Sequence, residues 1–159
     1  MILVLLGTQN NSFFRLLDEI ENCINDGLIS EEVIVQSGHT AYHSDKMKIV
    51  DFISQVDLEK LITESSYIIT HGGVGSIIGS IKSNKKVIAV SRLSKYNEHV
   101  NDHQIQIVNK FNNDGYIIGL NDACLLKNAV EKISTFIPKK YTSNTKNILN
   151  IISNYIDNN

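Results

Sequence analysis

His71-Gly72-Gly73-Val74-Gly75-Ser76 is the stretch of this chain best suited to holding an anion. It follows the β-branched run Tyr67-Ile68-Ile69-Thr70 and opens directly into a segment with helical spacing. The N–H groups of Gly73, Val74, Gly75 and Ser76 stand unpaired at such a helix start, where the macrodipole also favours negative charge. Glycines there allow close approach of a ligand. The Ser76 hydroxyl and the His71 imidazole add side-chain donors. The pattern reads as a cradle for a diphosphate. It is not a Walker loop, since no Gly-Lys-Ser/Thr follows, and the first strand leads into Gly7-Thr8-Gln9-Asn10 rather than a Gly-x-Gly-x-x-Gly turn. The bland alternative for His71 is a strand-end histidine satisfied by nearby backbone.

A second polar cluster follows the next apolar run. Val87-Ile88-Ala89-Val90 leads into Ser91-Arg92, then Glu98-His99 and Asn101-Asp102-His103-Gln104. Asn101 or Asp102 would serve as a helix N-cap. His99 and His103 are four apart and share a helix face, which with Glu98 and Asp102 invites a metal reading. The set has no clear third ligand, and no metal is expected. Thr8, in the polar turn Gly7 to Ser12, is a further candidate for the phosphate or the cleft.

Periodicity supplies the elements that position these residues. Strands are predicted at Ile2 to Leu6, Glu32 to Gln36, Ile49 to Ile53, Tyr67 to Thr70, Val87 to Val90 and Tyr116 to Leu120. Between and after them come helices at Ser12 to Asp26, capped by Ser12, and Val56 to Glu64, capped by Ser54. Val74 to Ser83, Asn101 to Asn112 with an Asp114-Gly115 C-cap turn, and Asp122 to Phe136 complete the series. Such alternation argues for an α/β fold, a Rossmann-like doubly wound parallel sheet, with ligands at the carboxyl ends of the strands. Gly7, Ser37-Gly38, His71 and Ser91 all fall at those ends. After the single proline, Pro138, the residues Ile148, Leu149, Ile152, Tyr155 and Ile156 recur at helical spacing. Residues 138–159 therefore form a tail helix beyond a domain at 1–137, either packing on its own sheet or docking a partner.

Composition sets the outer limits. A chain of 159 residues can bury one substantial core. A net charge of -2 gives no basic footprint for nucleic acid, which is excluded as a partner. Cys23 and Cys124 have no metal-like spacing and read as reduced thiols of a cytoplasmic protein. Met1 to Leu6 is apolar but stops at Gly7 without a basic leader, so it reads as a buried strand rather than a signal peptide. No run reaches transmembrane length, and the protein is expected at a membrane only through a partner.

His71 to Ile77, followed about thirty residues later by Asn101-Asp102-His103-Gln104 and then Phe111 to Tyr116, resembles the carboxyl-terminal domain of glycosyltransferase family 28. In size and order the chain is similar to the small donor-binding subunits of two-part transferases, namely the dolichol-pathway N-acetylglucosaminyl enzyme and its bacterial capsule and exopolysaccharide counterparts. The resemblance covers Met1 to about Phe136. It implies one half of a GT-B enzyme that moves a sugar from a UDP-sugar to a lipid-linked acceptor. It also implies a membrane-anchored acceptor-binding subunit that docks this chain on the inner face of the membrane, with the carboxyl tail as the candidate docking segment. His71, Gly72, Gly73, Gly75, Ser76 and Thr8 would then hold the donor phosphates. His103 and Gln104 match the pair that bonds the transferred sugar, with Asp102 beside them, and Gln36-Ser37-Gly38 matches a turn near the nucleoside. Where many relatives place an acidic residue on the ribose, this chain has Gly79. No general base is assigned to this chain, because related single-chain enzymes take it from the other half, and no cofactor is expected. The alternative is a non-catalytic nucleotide-sugar-binding subunit that activates a partner transferase.

Overall fold

The computed structural model describes residues 1–142. The predicted tail helix from Ser143 to Ile156 lies outside them. Six strands form one parallel sheet: β1 (Ile2–Leu5), β2 (Val33–Gln36), β3 (Lys48–Val50), β4 (Tyr67–His71), β5 (Lys86–Val90) and β6 (Ile118–Leu120). Their order is β3-β2-β1-β4-β5-β6. Every pairing is parallel, with Ile2 opposite Val33 on one side and Tyr67 on the other. The order reverses between β1 and β4, and the crevice at that switch point is where such sheets bind ligands.

Helices α1 (Phe14–Asn25), α2 (Gln55–Glu64), α3 (Val74–Lys82), α4 (His103–Asn113) and α5 (Leu126–Ile133) cover both faces. Alternation along the strands decides which helix packs where. Ile2 and Val4 of β1 join Leu16, Leu17 and Ile20 of α1 and Ala129 and Ile133 of α5. Leu3 and Leu5 point the other way, toward Ile62 of α2, Ile77 and Ile81 of α3 and Val108 of α4. Strands buried on both sides read as unbroken apolar runs, as β1 does; β4 is buried throughout but ends in the polar Thr70 and His71.

Among the described residues the predicted elements are all present, with shifted ends that have local causes. Ser12 does not cap α1: the helix begins one residue later, because the Ser12 carbonyl faces the Arg92 guanidinium and the Phe13 N–H donates to Thr40 Oγ1. Ser54 does cap α2, accepting from the Asp57 N–H at 3.1 Å. β3 ends at Val50 rather than Ile53, because its partner β2 stops at Gln36 and turns away through Gly38, whose φ is +58°. α4 starts at His103 rather than Asn101. The Asn101 amide oxygen accepts the His103 N–H, and Asp102 accepts from Ser94 instead of from its own helix.

At the far end of α4, Gly115 N–H bonds the Asn112 carbonyl and Tyr116 N–H bonds that of Phe111. That is a Schellman closure, and the Phe111 and Tyr116 rings meet 6.2 Å apart as its apolar contact. Tyr116 therefore belongs to the cap, which delays β6 to Ile118. The last predicted helix divides into a 3-10 turn over Ala123–Leu125, capped by Asp122, and α5, which ends at Ile133.

Candidate functional site

Leu5, Gly7, Thr8, Gln36, His71, Gly73 and Ser76 converge on a cleft of about 480 Å3 at the carboxyl ends of β1, β2 and β4. Its floor is the first turn of α3. That helix has no side-chain cap and no acidic residue in its first turn, so the N–H groups of Gly75 and Ser76, which line the cleft, have no internal competitors. Their position at the positive end of a nine-residue helix suits an anion.

His71 is the side chain that the glycines enclose. A Cβ on Gly73 would lie 2.2 Å from its Nε2, and one on Gly7 2.6 Å from its Cε1, so both positions must be glycine for the ring to sit where it does. Gly7 also has φ +79°, a value that L side chains rarely adopt. The His71 Nδ1 lies 3.3 Å from the Leu5 carbonyl, which can only accept, so Nδ1 carries the proton. Nε2 is then the lone-pair nitrogen on the glycine side. Burial, with the neighbouring Arg92 charge, pushes the imidazole down to about 4, so the ring is neutral near pH 7. To donate to a phosphate oxygen through Nε2 it must first take up a proton.

The residues expected to read the transferred sugar lie apart from this cleft. Gln104 is buried, and its Oε1 accepts from the Gly72 N–H at 3.0 Å and from the Arg92 N–H at 3.1 Å. It clamps the glycine turn to the end of β5. A Cβ on Gly72 would come within 2.9 Å of the Gln104 Cβ, so the turn is pressed directly against this side chain. Asp102 is exposed and accepts from the Ser94 N–H at 2.8 Å, which holds its carboxyl below the usual range. His103 is exposed at the start of α4. Ser37 and Gly38 are buried behind the cleft. A Cβ on Gly38 would lie 2.3 Å from the Gly7 carbonyl, so these two turns support each other.

Sequence reasoning passed over the charged lattice beside the cleft. Arg92 is only 1% exposed. Its Nη2 donates to the Leu6 carbonyl at 2.7 Å, and its Nη1 donates to the carbonyls of Asn11 at 2.6 Å and Glu98 at 3.1 Å. The Phe13 ring lies 4.9 Å away. Arg92 thus ties β1, the loop after it and the loop before α4 into one unit. Glu98, one of the metal-pattern residues, is committed to Arg15 through two bonds of 3.0 and 2.8 Å and to the Leu93 N–H. Arg15 also reaches Asp122 at 2.7 Å. The only sequence sign of this lattice is an arginine two residues after the apolar run Val87 to Val90.

A model of the glycosyltransferase family 28 C-terminal domain matches residues 1–158. The UDP-N-acetylglucosamine transferase subunit ALG13 of Candida glabrata is 30% identical over 109 residues, 67% of this chain and 48% of that protein. The chain thus spans about half the length of that curated relative. Among solved structures, the glycosyltransferase SnogD from Streptomyces nogalater superposes with a TM-score of 0.53 at 17% identity, over 86% of this chain and 40% of that one. The glycotransferase of kitacinnamycin does so with a TM-score of 0.56 at 16% identity, over 84% and 34%. These two likenesses concern the fold, and in both the chain corresponds to less than half of the larger protein. With its glycine turn, switch-point cleft and parallel sheet, the chain belongs to glycosyltransferase family 28, whose C-terminal domain it carries.

Proposed function

We propose that this chain is the donor-binding subunit of a two-component inverting glycosyltransferase that uses a UDP-sugar. The observation that carries the reading is the uncapped first turn of α3, open to a cleft at the switch point and enclosed by His71, Gly7 and Gly73. As the glycosidic bond to the donor breaks, negative charge grows on the departing diphosphate. Fixed N–H dipoles and a helix terminus stabilise such charge without reorganising. Gly73, Gly75 and Ser76 supply these donors, with Thr8 on the opposite wall. Gln36, Ser37 and Gly38 mark the nucleoside end. Gln104 bears on the sugar through the turn it clamps, while His103 and Asp102, exposed at the start of α4, would meet the sugar from outside the cleft.

Under this reading a base for the acceptor hydroxyl, and the rest of the acceptor site, come from a separate membrane-anchored subunit, with residues 138–159 a candidate for docking it. The acceptor would be a lipid-linked sugar, as in capsular or exopolysaccharide assembly, and the chain would work at the cytoplasmic face of the membrane through that partner. What supports the two-part arrangement is the likeness to a protein named as a subunit. Among the described residues no helix is long and apolar enough to cross a membrane.

The test is saturation-transfer NMR of the purified chain with UDP and a panel of UDP-sugars, then activity assays with the partner added. Binding of UDP that is lost in Ser76→Ala combined with Gly75→Pro supports the reading, and no binding with or without partner removes it. His103→Ala separates a donor subunit from a non-catalytic accessory better than Gln104→Ala, because losing Gln104 strands two buried N–H groups and disturbs any function. A donor subunit loses sugar-dependent turnover in His103→Ala, whereas an accessory keeps it.

A further inference from the structure

A second cavity, of about 600 Å3, opens on the other side of the loop that follows β1. Thr8 and Gln9 of that loop line the cleft, while Asn10, Asn11 and Ser12 line the cavity, so one stretch of chain is the wall between the two. The first turns of α1 contribute Phe14, Asp18 and Glu19, and the loop before α4 contributes Tyr96 and Asn97.

The cavity wall is held rigidly. Asn11 Nδ2 donates to the Asn97 carbonyl at 3.0 Å, closing two loops that are 86 residues apart. Behind it, Arg92 grips the Asn11 carbonyl at 2.6 Å. Arg15, paired with Glu98 at 2.8 Å and Asp122 at 2.7 Å, lies 4.7 Å from the Tyr96 ring centre. Burying such charges is seldom the cheapest way to stabilise a fold, since apolar residues of equal volume do as well or better. Here they sit under a single cavity.

Charge and chemistry narrow the ligand. Glu98 and Asp122 offset Arg15, which leaves the carboxylates of Asp18 and Glu19 as the remaining charges of the lining. That sign disfavours a phosphate or a nucleotide. The amides of Asn10 and Asn97 and the Ser12 hydroxyl donate and accept, and those carboxylates accept, as vicinal hydroxyls require. The Phe14 ring, 46% exposed, offers an apolar face to a C–H surface. We propose that this cavity is a second sugar subsite that takes a neutral pyranoside on the acceptor side of the shared loop. Its place on the acceptor side rests on the donor reading above, but pyranoside binding there does not.

The test titrates the 15N-labelled full chain separately with UDP and with methyl glucoside, methyl galactoside and methyl N-acetylglucosaminide, following backbone amides. At least one pyranoside is expected to shift Asn11 to Arg15 and Asn97 to Glu98. Phe14→Ala, exposed and away from the core, should weaken it about fivefold, and Asn10→Ala should weaken it as well, with the remaining spectrum unchanged. If no pyranoside in the panel moves these amides, or if pyranosides move only Gly73 to Ser76, the subsite is overturned. UDP binding in the cavity overturns it too. The UDP response at Gly73 to Ser76 reports on the donor reading independently, so either proposal can fail while the other stands.

Discussion

The cleft and the cavity share the loop from Thr8 to Ser12 but are made of different material. The cleft is walled by main chain: an uncapped helix turn, two glycines against an imidazole and a left-handed turn against a carbonyl. The cavity is lined by polar and charged side chains and backed by Arg92, which grips carbonyls across the sheet. A backbone-made site depends on what is missing at a position, namely a Cβ or a capping side chain. A side-chain-made wall depends on what is present, and losing one group leaves its partners buried and unpaired. The two regions should therefore break differently.

The largest effect is expected at Arg92. Arg92→Met keeps much of the volume and the contact with Phe13, yet it leaves the carbonyls of Leu6, Asn11 and Glu98 without their donor. Each buried acceptor left without its donor costs about 1–3 kcal/mol, readable as a fall in the urea midpoint. Arg92→Lys should recover only part, because an ammonium cannot reach several carbonyls in fixed directions. A loss below about 1 kcal/mol in Arg92→Met would mean the side-chain wall is as tolerant as the backbone one.

His71 gives the next effect, and it belongs to the cleft. Its folded value is lowered from 6.5 to about 4, chiefly by burial. Between those values the unfolded chain binds the proton more readily than the folded one, so stability falls as pH drops through that window. The full loss is about 3 kcal/mol, complete once pH is below the folded value. Wild type and His71→Gln should therefore converge in stability as pH falls from 7 to 4.5, since the variant lacks this slope and carboxylate contributions cancel in the difference. Parallel curves would show that the ring is not the enclosed neutral group the glycines describe. UDP binding should also take up protons, seen as an enthalpy that depends on buffer ionisation.

These two cases explain how much could be read from the sequence. The sheet, its helices and the glycine turn were legible because each is local: a strand, a turn and a helix start lie within twelve residues of Tyr67. Element ends slipped where a distant residue intervened, as when Thr40 and Arg92 took over the start of α1. The lattice was not legible, because its members are far apart in the chain: 83 residues between Arg15 and Glu98, and 86 between Arg92 and Leu6. Gln104 was recognised as important from its place after Asn101-Asp102-His103. That its oxygen is spent on Gly72 and Arg92 emerges only once β4 and β5 lie side by side.

Within the cleft itself, Gly73→Ala tests the enclosure of the imidazole. The backbone there has φ -78°, so alanine meets no torsional strain, only the ring 2.2 Å from its new methyl. Overpacking of this kind costs about 1–3 kcal/mol and should displace His71 from the phosphate site, weakening UDP. Combining it with His71→Ala should return most of the stability but not the UDP affinity. That non-additivity is the signature of a direct clash.

Gly79→Ala carries the smallest expected effect and sharpens the contrast between glycines that look alike in sequence. Gly79 lies in α3 and lines the cleft, yet a Cβ there meets nothing within 4 Å. With helical backbone and open space, alanine should stabilise the protein by about 0.5–1 kcal/mol through its better helix propensity. A donor held by Gly73 to Ser76 and Gly7 should tolerate the methyl, leaving UDP affinity within about twofold. If Gly79→Ala instead gains stability while UDP binding falls tenfold, the nucleotide runs along the exposed face of α3 and closely approaches this glycine. The ribose would then lie where the carboxylate of many relatives would meet it, and the missing Cβ at position 79 would belong to the site rather than to chance.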